Sequence, residues 1–136
     1  MTSTTGTTTD SDVGRTWTLD LSLSAPLSMN DREHWRKKAK RVQQLRRDTK
    51  VMAERAKIPP LGRIAVELHY APRDRRRRDA LNLVATLKPV EDGLVDAGVV
   101  PDDTGEFVRP TMPVLDEPSG RGTGWLYVVV RELVAP

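Results

Sequence analysis

The segment from Trp125 to Val134, WLYVVVRELV, limits the fold more than any other part of the chain. Aromatic and β-branched residues dominate it, and Val128, Val129 and Val130 leave no polar face. A strand of this kind is buried on both sides, so it lies inside a sheet that other elements cover. The rest of the chain must supply its neighbours and that cover.

Two more strands are legible by alternation. From Arg15 to Ala25, Trp17, Leu19, Leu21 and Leu23 alternate with Thr16, Thr18, Asp20 and Ser22, and Pro26 ends the run. Ile64, Val66, Leu68 and Tyr70 alternate with Ala65, Glu67 and His69, and Pro72 closes that strand. Val99-Val100 reads as a strand stub. Glu106 to Leu115 reads as a strand confined to an edge by Pro110 and Pro113. Asp116 to Gly124 is a loop rich in Gly, Pro and Ser.

The cover comes from two helices. Asn30 is a candidate N-cap with Glu33 three residues on, and the first helix is expected from Asp31 to Lys57. Trp35, Ala39, Val42, Leu45, Met52 and Ala56 form its apolar stripe, with a gap at Thr49, and Pro59-Pro60 and Gly62 stop it. The second helix is expected from Ala80 to Ala97, with Leu83, Leu87, Val90 and Leu94 buried and Gly98 as its stop. Pro89 removes one backbone bond, which predicts a kink or restart. The expected fold is α+β, an α/β sandwich. A mixed sheet of about four strands carries two helices, in the order β-α-β-α-β-β.

At 136 residues this reads as one folded domain over 15–136, preceded by a disordered tail from Met1 to Gly14 rich in Thr, Ser and Gly. Cysteine is absent, which excludes disulfides and thiolate metal sites and fits a reducing cytoplasm. No apolar run approaches the roughly 18 residues of a membrane span, and the N-terminus lacks the apolar core of a signal peptide. The expectation is a cytoplasmic protein without a membrane partner.

The net charge of +3 is modest, but its distribution is not. Asp31 to Lys57 holds eleven Lys or Arg against four Asp or Glu, and Arg73 to Arg78 holds five more arginines. Sixteen of the 22 basic residues thus lie in two segments. Such clustering suggests nucleic acid as partner.

Two motifs carry candidate chemistry. Arg75-Arg76-Arg77-Arg78-Asp79-Ala80-Leu81-Asn82-Leu83 sets four guanidiniums beside a carboxylate at the start of a helix. Gly98-Val99-Val100-Pro101-Asp102-Asp103 sets adjacent carboxylates on a turn. Basic groups grip phosphates, and clustered carboxylates hold Mg²⁺. Each piece also has a plain structural reading: Asp102-Asp103 as a polar turn, Asp79 as a helix-dipole partner, Lys88 as a solvated cation. His34 and His69 read as structural residues, and Trp17, Trp35 and Trp125 as core or interface residues.

Taken jointly, Arg78-Asp79-Ala80-Leu81-Asn82-Leu83 and Asp92-Gly93-Leu94-Val95-Asp96-Ala97-Gly98-Val99-Val100-Pro101-Asp102-Asp103 resemble the RusA family of Holliday junction resolvases. Leu27-Ser28-Met29-Asn30 with His34-Trp35-Arg36 is similar to the segment that opens that family's first helix. The resemblance spans about Trp17 to Val134. It implies a homodimeric endonuclease that cuts four-way DNA junctions by paired symmetric nicks, with Mg²⁺ or Mn²⁺, in recombination, repair or packaging of phage or prophage DNA. By the same resemblance, Asp79, Asp103 and Lys88 are catalytic, and Asp79, Asp102 and Asp103 hold the metal. Asn82 has a supporting role.

Two positions depart from the family pattern. Leu81 stands where the second motif aspartate belongs, and leucine cannot coordinate a metal. Lys88 lies about one turn further from Asn82 than the family lysine does. At about 100° per residue, positions 81, 88 and 92 share one helix face, so Lys88 and Asp92 project where position 81 does.

Phosphodiester cleavage needs an activated water, neutralised phosphate charge and a stabilised leaving oxygen. A carboxylate-held Mg²⁺ supplies all three. Arg75, Arg76, Arg77 and Arg78 would hold the backbone near the cut. Arg36, Lys37, Lys40 and Arg41, with Arg47 and Lys50, would bind the junction arms without reading sequence. Leu81 motivates a second reading, a junction-binding protein with weakened or absent cleavage. A third is a general nucleic-acid binder, which leaves the acidic cluster unexplained.

Overall fold

The computed structural model describes residues 13–21, 35–74 and 80–134. Its elements run β1 (Val13–Asp20), α1 (Trp35–Arg55), β2 (Ile64–Ala71), α2 (Val84–Asp96), β3 (Val108–Pro110), β4 (Val114–Leu115) and β5 (Trp125–Leu133). The fold is α+β, a mixed five-stranded sheet with two helices. Strand order is β1-β5-β2-β3, and β4 also pairs with β2. β5 is antiparallel to both β1 and β2, whereas β3 and β4 run parallel to β2.

β5 is the inner strand that its valines require. Val128 and Val130 are 0 % exposed and Val129 only 8 %. Leu19, Val128 and Leu68 are in register, as are Trp17, Val130 and Val66, so their side chains share one face. That face packs into one cluster with Leu45 and Ala53 of α1 and Leu87, Val90 and Leu94 of α2. The opposite face carries Asp20, Tyr127 and His69 in one row and Arg131 beside Ala65 in another.

The helices cross closely. Thr49, the gap in the apolar stripe, is fully buried, and its hydroxyl donates to the Leu45 carbonyl at 2.8 Å. It faces Gly93, whose missing side chain admits the α1 backbone: a Cβ there would lie 2.5 Å from the Arg46 carbonyl oxygen. Arg46 then reaches across to Asp96, with contacts of 2.5 and 2.9 Å.

Several expectations need correction. β1 begins at Val13, inside the expected tail. Trp35 is 67 % exposed, and Ala39 and Ala56 are exposed too, so the stripe that reaches the core is Val42, Leu45, Thr49, Met52 and Ala53. Trp35 instead lies under the Arg36 guanidinium, 5.2 Å from its ring centroid. Ala80–Leu83 is a 3-10 turn, and α2 runs unbroken through Pro89. Only one helical bond is forfeited there, and the proline ring is buried. Val99-Val100 is not a strand. Val99 closes the end of α2 by donating to the Leu94 carbonyl at 3.0 Å, while Gly98 takes a φ of 81°. Glu106 to Leu115 divides into β3 and β4. Among the described residues, no helix is long and apolar enough to cross a membrane.

Candidate active site

The turn after α2 sends the chain back along the helix. Gly98 reverses it, and buried Val99 and Val100 anchor it, the former accepting at 2.7 Å from the Leu61 amide. Asp103 is thereby carried to Lys88, whose ammonium donates to its carboxylate. The same ammonium lies 3.1 Å from Asp92, one helical turn further along α2. The Asp103 amide donates to Asp102 Oδ1 at 2.7 Å, which fixes the two carboxylates relative to each other.

Exposure within the group is uneven. The Lys88 side chain is 66 % exposed, against 22 % for Asp103. The hydrogen bonds to Asp103 and Asp92 push the Lys88 ammonium up to about 12. Lys88 in turn holds Asp103 below the usual carboxylate range. The result is a cation at the surface, set between Asp92 and an Asp103 carboxylate that it keeps ionised. Such a group can meet a phosphate and present acidic oxygens beside it.

Glu91, three residues from Lys88, is partly buried on the same side of α2. Burial pushes its carboxyl up to about 7, with the nearby charge of Asp103 adding to the effect. The native state therefore keeps a proton that the unfolded chain releases between about pH 4.5 and 7. The Glu91 contribution to stability falls as pH rises through that window. In EDTA, Glu91→Gln is expected to abolish this fall and gain on the order of 1 kcal/mol at pH 8 after solvent screening. Urea melts at pH 5 and pH 8 would read it, and equal pH dependence in both proteins would refute it.

Of the residues assigned from sequence, Lys88, Asp102 and Asp103 come together. Asp79 and Arg75, Arg76, Arg77 and Arg78 lie outside the described residues, as do the side chains of Leu81 and Asn82. Position 81 sits in the 3-10 turn, so the 100° projection from it does not hold; it holds for Lys88 and Asp92. Arg36, Lys37 and Lys40 are exposed on the first turns of α1, and Arg41 is partly so. Glu91 was not singled out, although its spacing of three from Lys88 was the available signal. Among the described residues, no group of three or more His, Asp or Glu side chains converges to hold a metal ion. Adjacent Asp102 and Asp103 offer the oxygen chemistry Mg²⁺ prefers.

A second polar cluster occupies the opposite face of the sheet. His69 lies 2.6 Å from Glu67 through Nε2 and 3.2 Å from Asp116 through Nδ1, and stacks on Tyr127 at 4.7 Å. The Tyr127 hydroxyl donates to Asp116, and burial together with that bond pushes it up to about 12. His69 is thus built into the sheet, in keeping with a structural role.

No family model matches the sequence. An uncharacterized protein of Xylella fastidiosa (strain Temecula1 / ATCC 700964) is 38% identical over 79 residues. That alignment covers 54% of this chain and 52% of the relative, so the chain spans about half the length of the curated relative it matches.

Proposed function

We propose that this protein is a RusA-like, Mg²⁺-dependent endonuclease that resolves four-way DNA junctions by paired symmetric nicks. The observation that supports this most is the Lys88–Asp103 pair. It brings the α2 lysine, 15 residues before Asp103 in sequence, onto the last aspartate of the second motif. In this reading Asp79, Asp102 and Asp103 hold the metal, which supplies water activation and charge neutralisation when bound. Lys88 offsets the charge developing on the phosphate. Asp103 is kept ionised by Lys88, and Asp102 is aligned by the Asp103 amide. Arg75 to Arg78 grip the backbone near the cut, and the basic face of α1 holds the arms. A homodimer would match the two-fold symmetry of a junction.

The second reading is a junction-binding protein with weak or absent cleavage, and Leu81 is what favours it. Cleavage of a labelled synthetic four-way junction, with Mg²⁺ and with EDTA, beside a gel shift on the same substrate, separates the two. Paired nicks only with Mg²⁺ support the nuclease. Tight, junction-selective binding without nicking supports the second reading. If Leu81 is the lesion, Leu81→Asp will raise Mg²⁺-dependent nicking at least about tenfold. An active parent with an unchanged Leu81→Asp variant would mean that the remaining carboxylates suffice.

A further inference from the structure

The loop between β4 and β5, residues 116–124, is pinned at both ends. Asp116 fixes its base: its amide donates to the Tyr70 carbonyl at 2.9 Å, and its carboxylate is engaged by His69 and Tyr127. At its other end Gly124 lies against Tyr70, where a Cβ would approach the ring hydroxyl to 2.4 Å. Within the loop, Ser119 Oγ donates to the Thr123 carbonyl at 2.7 Å and accepts from the Arg121 amide at 3.1 Å. The Ser119 amide donates to the Pro72 carbonyl at 3.0 Å. The loop is thus tied to the end of β2, where the sequence runs into Arg73 and the arginines that follow.

At the tip, the Arg121 guanidinium lies 4.1 Å from the centroid of the Trp125 ring. The indole is itself held, because its N–H donates to Asp20 Oδ1 of β1 at 3.2 Å. Stacking uses the face of a guanidinium and leaves its in-plane N–H donors pointing outward. Among the described residues no carboxylate pairs with Arg121, although Arg15, Arg46, Arg73 and Arg131 all have one. A guanidinium held over an indole, with no carboxylate partner among the described residues, gives up part of its side-chain freedom before a ligand arrives. Planar forked donors of this kind match a phosphodiester.

We propose that Arg121, on its Trp125 platform, is a nucleic-acid backbone contact. This rests on the nucleic-acid reading above but not on cleavage. The test is fluorescence anisotropy in EDTA, with a labelled four-way junction and a linear duplex of equal length, over a range of salt. Arg121→Ala is expected to weaken both complexes roughly fivefold and to lower the slope of log affinity against log salt by about one. Arg121→Lys, which keeps the charge but loses the stacked fork, should recover only part of the affinity. Arg63→Ala removes an equal charge from the exposed position before β2 and serves as the control. If Arg121→Ala and Arg63→Ala weaken binding equally, the assignment of Arg121 falls while the nucleic-acid reading stands. If the parent protein binds neither DNA, both fall.

Discussion

Asp103→Asn is expected to lower junction nicking by about a hundredfold or more while leaving junction affinity unchanged or slightly raised. The reasoning starts from what the change keeps. Asparagine still offers an oxygen to the Lys88 ammonium, so the link between α2 and its following turn survives. The fold is barely affected, because a pair whose lysine is 66 % exposed contributes little to stability. What is lost is an anionic oxygen beside Asp102, and with it the charge a divalent cation needs. On the proposed reading this surface faces phosphate, and removing negative charge from it does not weaken DNA binding and can strengthen it. Nicking and gel-shift assays on one labelled junction measure both quantities. Joint loss of binding and cutting would show Asp103 to be structural, and undiminished cutting would remove it from the site.

Gly93→Ala is expected to destabilise the protein by about 2–4 kcal/mol. In an open helix interior the same change would stabilise by about 1 kcal/mol, because alanine is the better helix former. Packing reverses the sign here. The new methyl would lie 2.5 Å from the Arg46 carbonyl oxygen and 2.7 Å from Thr49 Cβ. Neither is the free end of a flexible side chain, so the helices must part. Parting them opens a core in which Leu45, Val90 and Leu94 are 0 % exposed. It also moves Asp92 and Asp96 away from Arg46. Urea denaturation of the two proteins measures the difference, and a variant as stable as the parent would overturn the account of this crossing.

What could be read in the sequence was whatever depends on neighbours along the chain. The valines of β5 dictated an inner strand, Leu87, Val90 and Leu94 dictated the inward side of α2, and Gly98 dictated its end. Lys88 and Asp103 could be grouped because the family resemblance assigns a role to each. Periodicity failed where the partner is distant. It marks an apolar side of α1 but not where the helix leaves the core, so Trp35 was counted inward although it lies in solvent. Thr49 looked like a flaw in the stripe because Gly93, which makes it fit, is 44 residues away. His69 meets Asp116 across 47 residues, a spacing that no local rule reaches.

The position of β5 also governs how the chain can be made. It is the last of the strands in sequence, yet it stands between β1 and β2, which do not pair with each other in the sheet. A nascent chain leaving the ribosome therefore holds two unmatched strands until residues 125–133 emerge. Before then β2 has only the short parallel partners β3 and β4. Closure of the sheet waits for β5 and draws together segments more than a hundred residues apart, Val13 with Leu133. Such closure is slow and leaves sticky edges open to other chains. The hazardous interval for this sheet is the time before β5 is available, and a chaperone that shields β1 and β2 would have its greatest effect then.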